Sequence, residues 1–175
     1  MEQVVIRRHP RLLLAGFSFF GDPFHSHAGW TEANEIGRLW QRLLAYWQAP
    51  ERGVPPTVMY EVHIQNSETP RTGEFEVFVG YEVSSRDALP FELCLKHLPE
   101  TTYAVFTLRG DQMQQDEPLV DNWLRANGYR AGLPFFIQRY DERYRGLDRL
   151  EESELDFLVP IAPVERPAGG ADGPD

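Results

Sequence analysis

Apolar residues recur along the chain with two periods, and these predict strands and two amphipathic helices. In the first helical segment they are spaced by three and four positions, which is typical of a helix with one buried face. These residues are Ile36, Leu39, Trp40, Leu43, Leu44 and Trp47. Thr31 is the predicted N-cap, Pro50 ends the helix, and Trp40 and Trp47 are interpreted as core residues. A second helix is predicted over about 116–126, followed by Asn127-Gly128 as its C-terminal stop.

Alternating or extended apolar segments predict the strands. They cover 4–20, with a break at His9-Pro10, and then 59–64, 74–83, 101–108, 135–140 and 154–161. In the last segment every second residue from Leu155 to Ile161 is apolar, so one face is expected to be buried. Two helices covering one face of an antiparallel sheet make this an α+β protein.

The order of these elements repeats, which predicts two pseudo-symmetric β-α-β-β units. The segment PRLLLAGFSFFG at 10–21 matches PETTYAVFTLRG at 99–110, at a constant offset of 89. Three further segment pairs follow in the same order, and one of them makes Tyr60 the counterpart of Gln138. We expect one domain at 1–163, with repeat one at about 3–85 and repeat two at about 91–163. A cleft between the repeats is the expected binding site, and 164–175 is expected to be a disordered acidic Gly/Pro-rich tail.

Composition and charge narrow the classes of function. The net charge of −10 over 175 residues argues against direct nucleic-acid binding, which requires clustered Lys and Arg. No segment approaches the ~20 apolar residues of a membrane helix, and no targeting signal is visible. We therefore expect a cytoplasmic protein without membrane contact. The single cysteine, Cys94, excludes an internal disulfide and is interpreted as a small packed apolar residue.

Standard catalytic motifs are absent from the sequence. It contains no GxSxG, P-loop, GxGxxG or HExxH motif. His25 and His27, with Asp22 nearby, are the one close group of metal-ligand types, and we interpret them as a solvated loop. We therefore predict no catalytic residue, no metal and no cofactor.

Aromatic and acidic side chains interleave on the predicted strands. The hydroxyls of Tyr60 and Tyr140 need hydrogen-bond partners, which suits a half-polar cavity. A carboxylate buried beside aromatic rings selects a lipophilic cation, because each cation–π contact adds about 0.5–2 kcal/mol to the ion pair. The sequence leaves open which of Glu61, Glu76 and Asp156, if any, faces the cleft.

Six segments in the same order resemble the GyrI-like effector-binding domains, the ligand modules of AraC- and MerR-type regulators. The segments are 34–43, 80–85, 103–110, 123–129, 134–143 and 153–161. Within that group the chain most resembles the stand-alone, integron-cassette-associated effector-binding proteins, from about residue 3 to residue 163. The resemblance implies two β-α-β-β units whose shared groove binds amphipathic, often cationic, molecules.

One position departs from the pattern of that family. The resemblance implies a glutamate in the groove as the countercharge, where this chain has Gln138 two residues before Tyr140. A neutral amide lowers the expected selectivity for cations and removes the acid–base group of relatives that hydrolyse reactive cyclopropane-bearing compounds. Neutral or zwitterionic aromatic ligands are therefore expected as readily as cations.

The main hypothesis is a binding protein for small aromatic or amphipathic molecules. Because the first strand begins almost at Met1, we expect no DNA-binding domain, so any effect on transcription or drug response needs a protein partner. The alternatives are a hydrolase of cyclopropane-bearing compounds, a modulator that binds DNA gyrase and, as a minor option, a haem site at His63. The predicted ligand-binding residues are Tyr60, Phe136, Gln138, Tyr140, Trp123, Trp30, Glu61 and Asp156.

Overall fold

The computed structural model describes residues 4–87 and 89–165, so most of the predicted tail lies outside the described residues. The strands are β1 (Val5–His9), β2 (Leu12–Gly21), β3 (Met59–Ile64), β4 (Phe75–Glu82), β5 (Cys94–Leu98), β6 (Thr101–Arg109), β7 (Tyr129–Ala131), β8 (Phe135–Tyr140) and β9 (Glu154–Pro163). The helices are α1 (Glu35–Gln48), α2 (Thr69–Thr72) and α3 (Asp116–Asn127), with short 3-10 helices at Pro50–Arg52, Gly110–Gln114 and Leu147–Glu152. The six predicted strand segments and both long helices are confirmed, whereas β5, β7 and α2 were not predicted. In the described residues no helix has the length and apolarity needed to span a membrane.

Helix α1 begins three residues later than predicted. Its N-cap is Asn34, whose side chain accepts a hydrogen bond from the backbone N of Gly37 at 3.0 Å. The Asn34 amide also donates to the carbonyl of Gly29 at 2.9 Å. A Cβ at Gly37 would lie 2.4 Å from the Cα of Glu32, so glycine allows the preceding loop to pack against the helix. The loop that carries Trp30 is therefore fixed to the start of α1.

The sheet is antiparallel throughout, and its two halves are arranged symmetrically. Its order is β1-β6-β9-β8-β3-β4-β2-β5, with β7 pairing β9, so β3 and β8 lie at the centre. Leu39 and Leu43 of α1 pack on β2 and β4, and Val120 and Leu124 of α3 pack on β6 and β9. The predicted arrangement of two helices on one face is confirmed, and it leaves β3 and β8 uncovered between them.

The two repeats exchange their first strands. β1 of the first repeat pairs with β6 of the second, and β5 of the second pairs with β2 of the first. The pair His9–Thr101 ends one ladder and the pair Leu12–Leu98 begins the next. The prolines that align in the sequence repeat, Pro10 and Pro99, lie in the two connections between these ladders, where a missing backbone N–H is tolerated.

The second face of the sheet also carries a buried apolar core. Tyr60 belongs to this core rather than to the helix face, since its neighbours on β3, Met59 and Glu61, point the other way. The buried residues of this core are Leu12, Leu14, Tyr60, Val62, Phe78, Leu98, Tyr103, Phe135, Ile137 and Leu158. β5 covers its edge, and Cys94 at the start of β5 is exposed, which corrects its interpretation as a packed residue.

Strand registers identify which positions of the two repeats correspond. Ala15 pairs with Tyr81, and its repeat partner Ala104 pairs with Val159. Val79, two residues before Tyr81, therefore corresponds to Phe157, two residues before Val159. Glu61 pairs with Val79 and Gln138 pairs with Phe157, so Glu61 is the counterpart of Gln138.

The alignment that matched Tyr60 with Gln138 was wrong by one residue. A rotation about an axis perpendicular to the sheet keeps each side chain on its own face, and a shift of one residue reverses the face. Tyr60 and Gln138 point to opposite faces, whereas Glu61 and Gln138 point to the same one.

Candidate ligand-binding site

A cavity of about 1460 Å³ lies over β3 and β8, between α1 and α3. Its floor is formed by side chains of the two central strands, and its walls by the facing sides of the two helices. The loop before α1, including Phe24 and Trp30, and the segment 144–147 contribute to the rim. Phe24, Leu44 and Leu147 are exposed apolar side chains on this rim. The volume exceeds the ≈ 300–1,000 Å³ of most small-molecule pockets, so a ligand with several rings fits.

Glu61 is the central polar group of the floor. Its side chain is buried and accepts a hydrogen bond from the indole Nε1 of Trp40 at 2.5 Å. The Nε2 atom of His63 lies 2.6 Å from the other carboxylate oxygen. The hydroxyl oxygen of Tyr140 lies 3.4 Å from Glu61. These polar contacts from α1, β3 and β8 offset much of the loss of hydration of a buried carboxylate.

Gln138 lies beside Glu61 on the neighbouring strand and is also buried. Its side-chain oxygen accepts a hydrogen bond from the Tyr140 hydroxyl at 2.5 Å. The hydroxyl carries a single hydrogen, which it donates to Gln138 at the shorter distance, and its oxygen also lies near Glu61. The three side chains form one connected polar patch inside an apolar cavity, and the carboxylate of Glu61 carries its negative charge.

Aromatic rings surround this patch on both sides. Trp40 and Tyr140 meet edge to face with centroids 4.8 Å apart, and Tyr144 packs on Tyr140 at 4.9 Å. Phe136 stacks on Phe157 at 4.7 Å and lies 4.6 Å from the ring of His63. Such rings present apolar surface together with negative π faces, which suits an aromatic or cationic ligand.

The electrostatic environment of the cavity is acidic. Burial, followed by the charge of Glu61, raises the pKa of Tyr140 well above its ordinary value. The same two causes raise the pKa of Tyr144 to about 12. Burial also raises the pKa of Asp116, at the start of α3. The carboxylates that line the cavity are Glu32, Glu61, Asp116, Glu117, Asp121 and Asp141, and among the described lining residues Arg145 is the single Lys or Arg.

Five of the eight predicted binding residues line this cavity. Their position agrees with a binding role, and their contact with a ligand stays a prediction. They are Trp30, Glu61, Phe136, Gln138 and Tyr140. Trp123 instead stacks on Tyr129 at 5.9 Å and meets Phe106 edge to face. Asp156 lies on the opposite face of β9, paired with Arg139 and Arg143. Together with Tyr60, these two residues are outside the cavity.

Among the residues that contact Glu61 or Tyr140, three were missed or misinterpreted by the sequence analysis. Trp40 was interpreted as a core residue, because its place on the apolar stripe does not show that the strand beneath it carries a glutamate. His63 was considered for haem alone, and its Nε2 is held by Glu61. Tyr144 lies in a loop without a periodic pattern, so no signal in the sequence could have found it.

Elsewhere, the candidate metal ligands form no complete site. His25 contacts the backbone carbonyl of Asp22 through Nδ1 at 2.8 Å, and His25 and His27 are exposed. Within 4–87 and 89–165 no group of three or more His, Cys, Asp or Glu side chains is arranged to hold a metal ion.

Solved structures with the same fold cover nearly the whole chain. SAV2435, solved bound to tetraphenylphosphonium, is 16% identical, with a TM-score of 0.62 over 92% of this chain and 94% of that chain. An integron cassette protein of Vibrio cholerae, VCH_CASS2, is 16% identical, with a TM-score of 0.59 over 91% of this chain and 95% of that chain. In the EcmrR–DNA complex, EcmrR is 14% identical, with a TM-score of 0.65 over 93% of this chain and 58% of that chain. No curated protein sequence matches the chain.

A family profile matches most of the chain and identifies its protein family. The profile described as integron-associated effector binding protein matches residues 6–161. These residues include all nine strands except the ends of β1 and β9. The resemblance to GyrI-like and integron-associated effector-binding proteins is thereby confirmed, and the chain belongs to the integron-associated effector binding protein family.

Proposed function

We propose that this protein binds lipophilic cations in the cavity between α1 and α3, with Glu61 as the countercharge. The observation that carries the proposal is a buried carboxylate at the floor of a large aromatic cavity. Neutral ligands would leave that charge unpaired, whereas a cation would pair with it and displace water from the surrounding rings.

The contacts of Glu61 support this role. Trp40 is a neutral donor, so it orients the carboxylate without cancelling its charge. The remaining acids of the walls add a negative potential that attracts cations to the opening. A permanently charged ligand surrounded by aromatic groups matches both features, and one relative of the same fold is solved with tetraphenylphosphonium.

Glu61 can also replace the carboxylate that the family resemblance implies at position 138. The family resemblance implies a carboxylate on the strand that carries Gln138, and Glu61 occupies the position related to it by the pseudo-twofold axis. We infer that the countercharge has moved across the axis to the neighbouring strand. The selectivity for cations expected from the family is then retained.

Tryptophan fluorescence tests the proposal directly, since Trp30 and Trp40 line the cavity. The ligands are tetraphenylphosphonium and tetraphenylborate, which have the same shape and opposite charge. We expect saturable quenching by the cation and much weaker quenching by the anion.

Two variants with the same chemical change assign the charge to one residue. Glu61→Gln should weaken tetraphenylphosphonium binding by at least about tenfold, because it removes the desolvated charge but keeps the side-chain volume. The matched control is Glu76→Gln. Glu76 lies on the opposite face and binds Ser18 and Lys96, so its loss should leave the affinity unchanged. Equal binding of both ions, or equal effects of both variants, would contradict the proposal.

Hydrolysis of a reactive cyclopropane-bearing compound is the second candidate function. It is favoured by the contact of Glu61 with His63, because two adjacent buried titratable groups can accept a proton from an attacking water. The test is mass spectrometry of such a compound for the gain of one water. Product formed by the wild type and lost in Glu61→Gln would support turnover, whereas binding without product would exclude it for that substrate. The links to transcription and to DNA gyrase stay predictions that depend on a protein partner.

A further inference from the structure

The contact between Glu61 and His63 places a second ionisable group inside the cation site. Nε2 of His63 lies 2.6 Å from Oε1 of Glu61, and the two residues are 7% and 4% exposed. Both side chains line the cavity. Water and salt screen charges at this depth only weakly, so a proton on His63 changes the charge felt by a ligand at Glu61 by nearly a full unit.

We infer that His63 is a built-in competitor of the ligand for Glu61, and that this protein exchanges a proton for a cation when it binds. With His63 protonated, the imidazolium and the carboxylate form an internal ion pair and the site has no net charge. With His63 neutral, Glu61 is free to pair with the ligand. The inference rests on the proposed function and specifies how the site is regulated.

Both charged and apolar groups surround His63. Within the described part of the chain, the charged groups that face it are Glu61 on its own strand and Asp116 from α3. Both favour the protonated ring. β4 and β8 contribute the rings of Phe75 and Phe136, at 5.2 and 4.6 Å, and this apolar environment favours the neutral ring. Histidine is the side chain whose charge ordinarily changes in the physiological pH range, which makes it suited to a switch.

The exchange makes the affinity for a permanent cation depend on pH in a defined direction. Below the pH at which His63 loses its proton, each cation bound releases one proton to the solvent. The dissociation constant then rises by up to about tenfold for each pH unit that the solution is made more acidic. At higher pH the proton is already absent and the affinity becomes constant. Neutral ligands do not need Glu61 and should show little of this dependence.

Tetraphenylphosphonium is a suitable probe because it has no titratable group, so any pH dependence belongs to the protein. We would measure its binding by calorimetry between about pH 5.5 and 8, in buffers with different enthalpies of protonation, which reports the number of protons released. We expect release approaching one proton at the acid end and none at the alkaline end. His63→Gln keeps an N–H donor near Glu61 but cannot ionise, so its affinity should be independent of pH. Asp116→Asn should retain the pH dependence.

The outcomes separate this inference from the proposed function. Tight binding with the same affinity at all pH values and no proton release would overturn the role of His63 and leave the cation site intact. A slope that persists in His63→Gln would assign the proton to another group and also overturn it. No binding of the cation at any pH would overturn the proposed function itself. If His63→Gln does not fold, as judged by circular dichroism, proton release by Asp116→Asn decides: release equal to that of the wild type supports His63, and its loss assigns the proton to Asp116 and overturns the inference.

Discussion

Glu61 and Gln138 face each other across β3 and β8 and are each other's counterparts in the two repeats. The pseudo-twofold axis therefore passes between an acid and its amide, at the floor of the cavity. The same axis relates Met59 to Phe136 and His63 to Tyr140, so the two halves of the floor differ in their side chains as well as in the charge of Glu61. The proposed cation site is therefore asymmetric, although the fold around it is built from two related halves.

Exchanging the two residues should move the charge without destroying the site. Glu61→Gln removes the countercharge, and the double variant Glu61→Gln/Gln138→Glu restores a carboxylate on the neighbouring strand, within reach of the Tyr140 hydroxyl. We expect the double variant to recover at least about tenfold of the lost tetraphenylphosphonium affinity, as measured by fluorescence titration. Failure to recover would mean that the contacts of Trp40 and His63 with Glu61 matter more than the charge alone.

The fold could be predicted largely from local patterns. The stripe from Ile36 to Trp47 and the alternation from Leu155 to Ile161 each report on one element and the face it buries. β5 had no such signal, because Lys96 and His97 interrupt it and its pairing with β2 defines it as a strand. The exchange of first strands between the repeats also had no signal in the sequence, since it depends on pairing between segments that are far apart in the chain.

The cavity could be predicted only in part, because its residues depend on strand register. The need of the Tyr60 hydroxyl for a partner did not show which face of β3 it occupies, and the sequence could not decide among Glu61, Glu76 and Asp156. The pairing of β3 with β4 and β8 decides the faces of Glu61 and Glu76, and the pairing of β8 with β9 decides the face of Asp156. Trp40 shows the same limit, since an apolar stripe predicts that a residue is covered but not what lies beneath it.

Ligand binding should be reported by particular tryptophans. Trp40 lines the cavity and donates to Glu61, whereas Trp123 packs on Tyr129 and Phe106 away from it. Trp40→Phe should remove much of the quenching by tetraphenylphosphonium and weaken its binding several-fold, because Glu61 loses a donor. Trp123→Phe should bind with unchanged affinity and retain the quenching. Equal loss of signal in both variants would indicate a general change of structure rather than contact with the ligand.

The close approach of β2 and β4 should make one glycine pair essential for stability. Gly16 pairs with Gly80, and a Cβ at Gly16 would lie 2.0 Å from the carbonyl oxygen of Val79. We expect Gly16→Ala to lower the free energy of unfolding by about 2–3 kcal/mol, since the strands must separate to admit the methyl group. Gly132→Ala is the matched control, because its Cβ would approach Ile161 only to 3.0 Å. Urea denaturation measures both, and a loss for Gly16→Ala no larger than that of the control would contradict the prediction.

The ion pairs around Asp141 should make the free energy of unfolding decrease as the solution becomes acidic. Hydrogen bonds from Arg143, with further support from Arg139, hold the pKa of Asp141 well below its ordinary value of 3.8. A carboxyl whose pKa is lowered by folding stabilises the protein above its ordinary pKa, and this stabilisation is lost as the pH falls through the lowered value.

Asp141→Asn should therefore lower the free energy of unfolding at neutral pH by about 1–2 kcal/mol, a value reduced for the partial exposure of the arginines. The variant should also lose less stability than the wild type when the pH is lowered from neutral to below the ordinary pKa of 3.8. Glu152→Gln is the control, because Glu152 forms an exposed pair with Arg149 and such pairs contribute little. Denaturant titrations at several pH values measure both effects. Parallel acid profiles for wild type and Asp141→Asn would show that the ion pairs of Asp141 do not control acid stability.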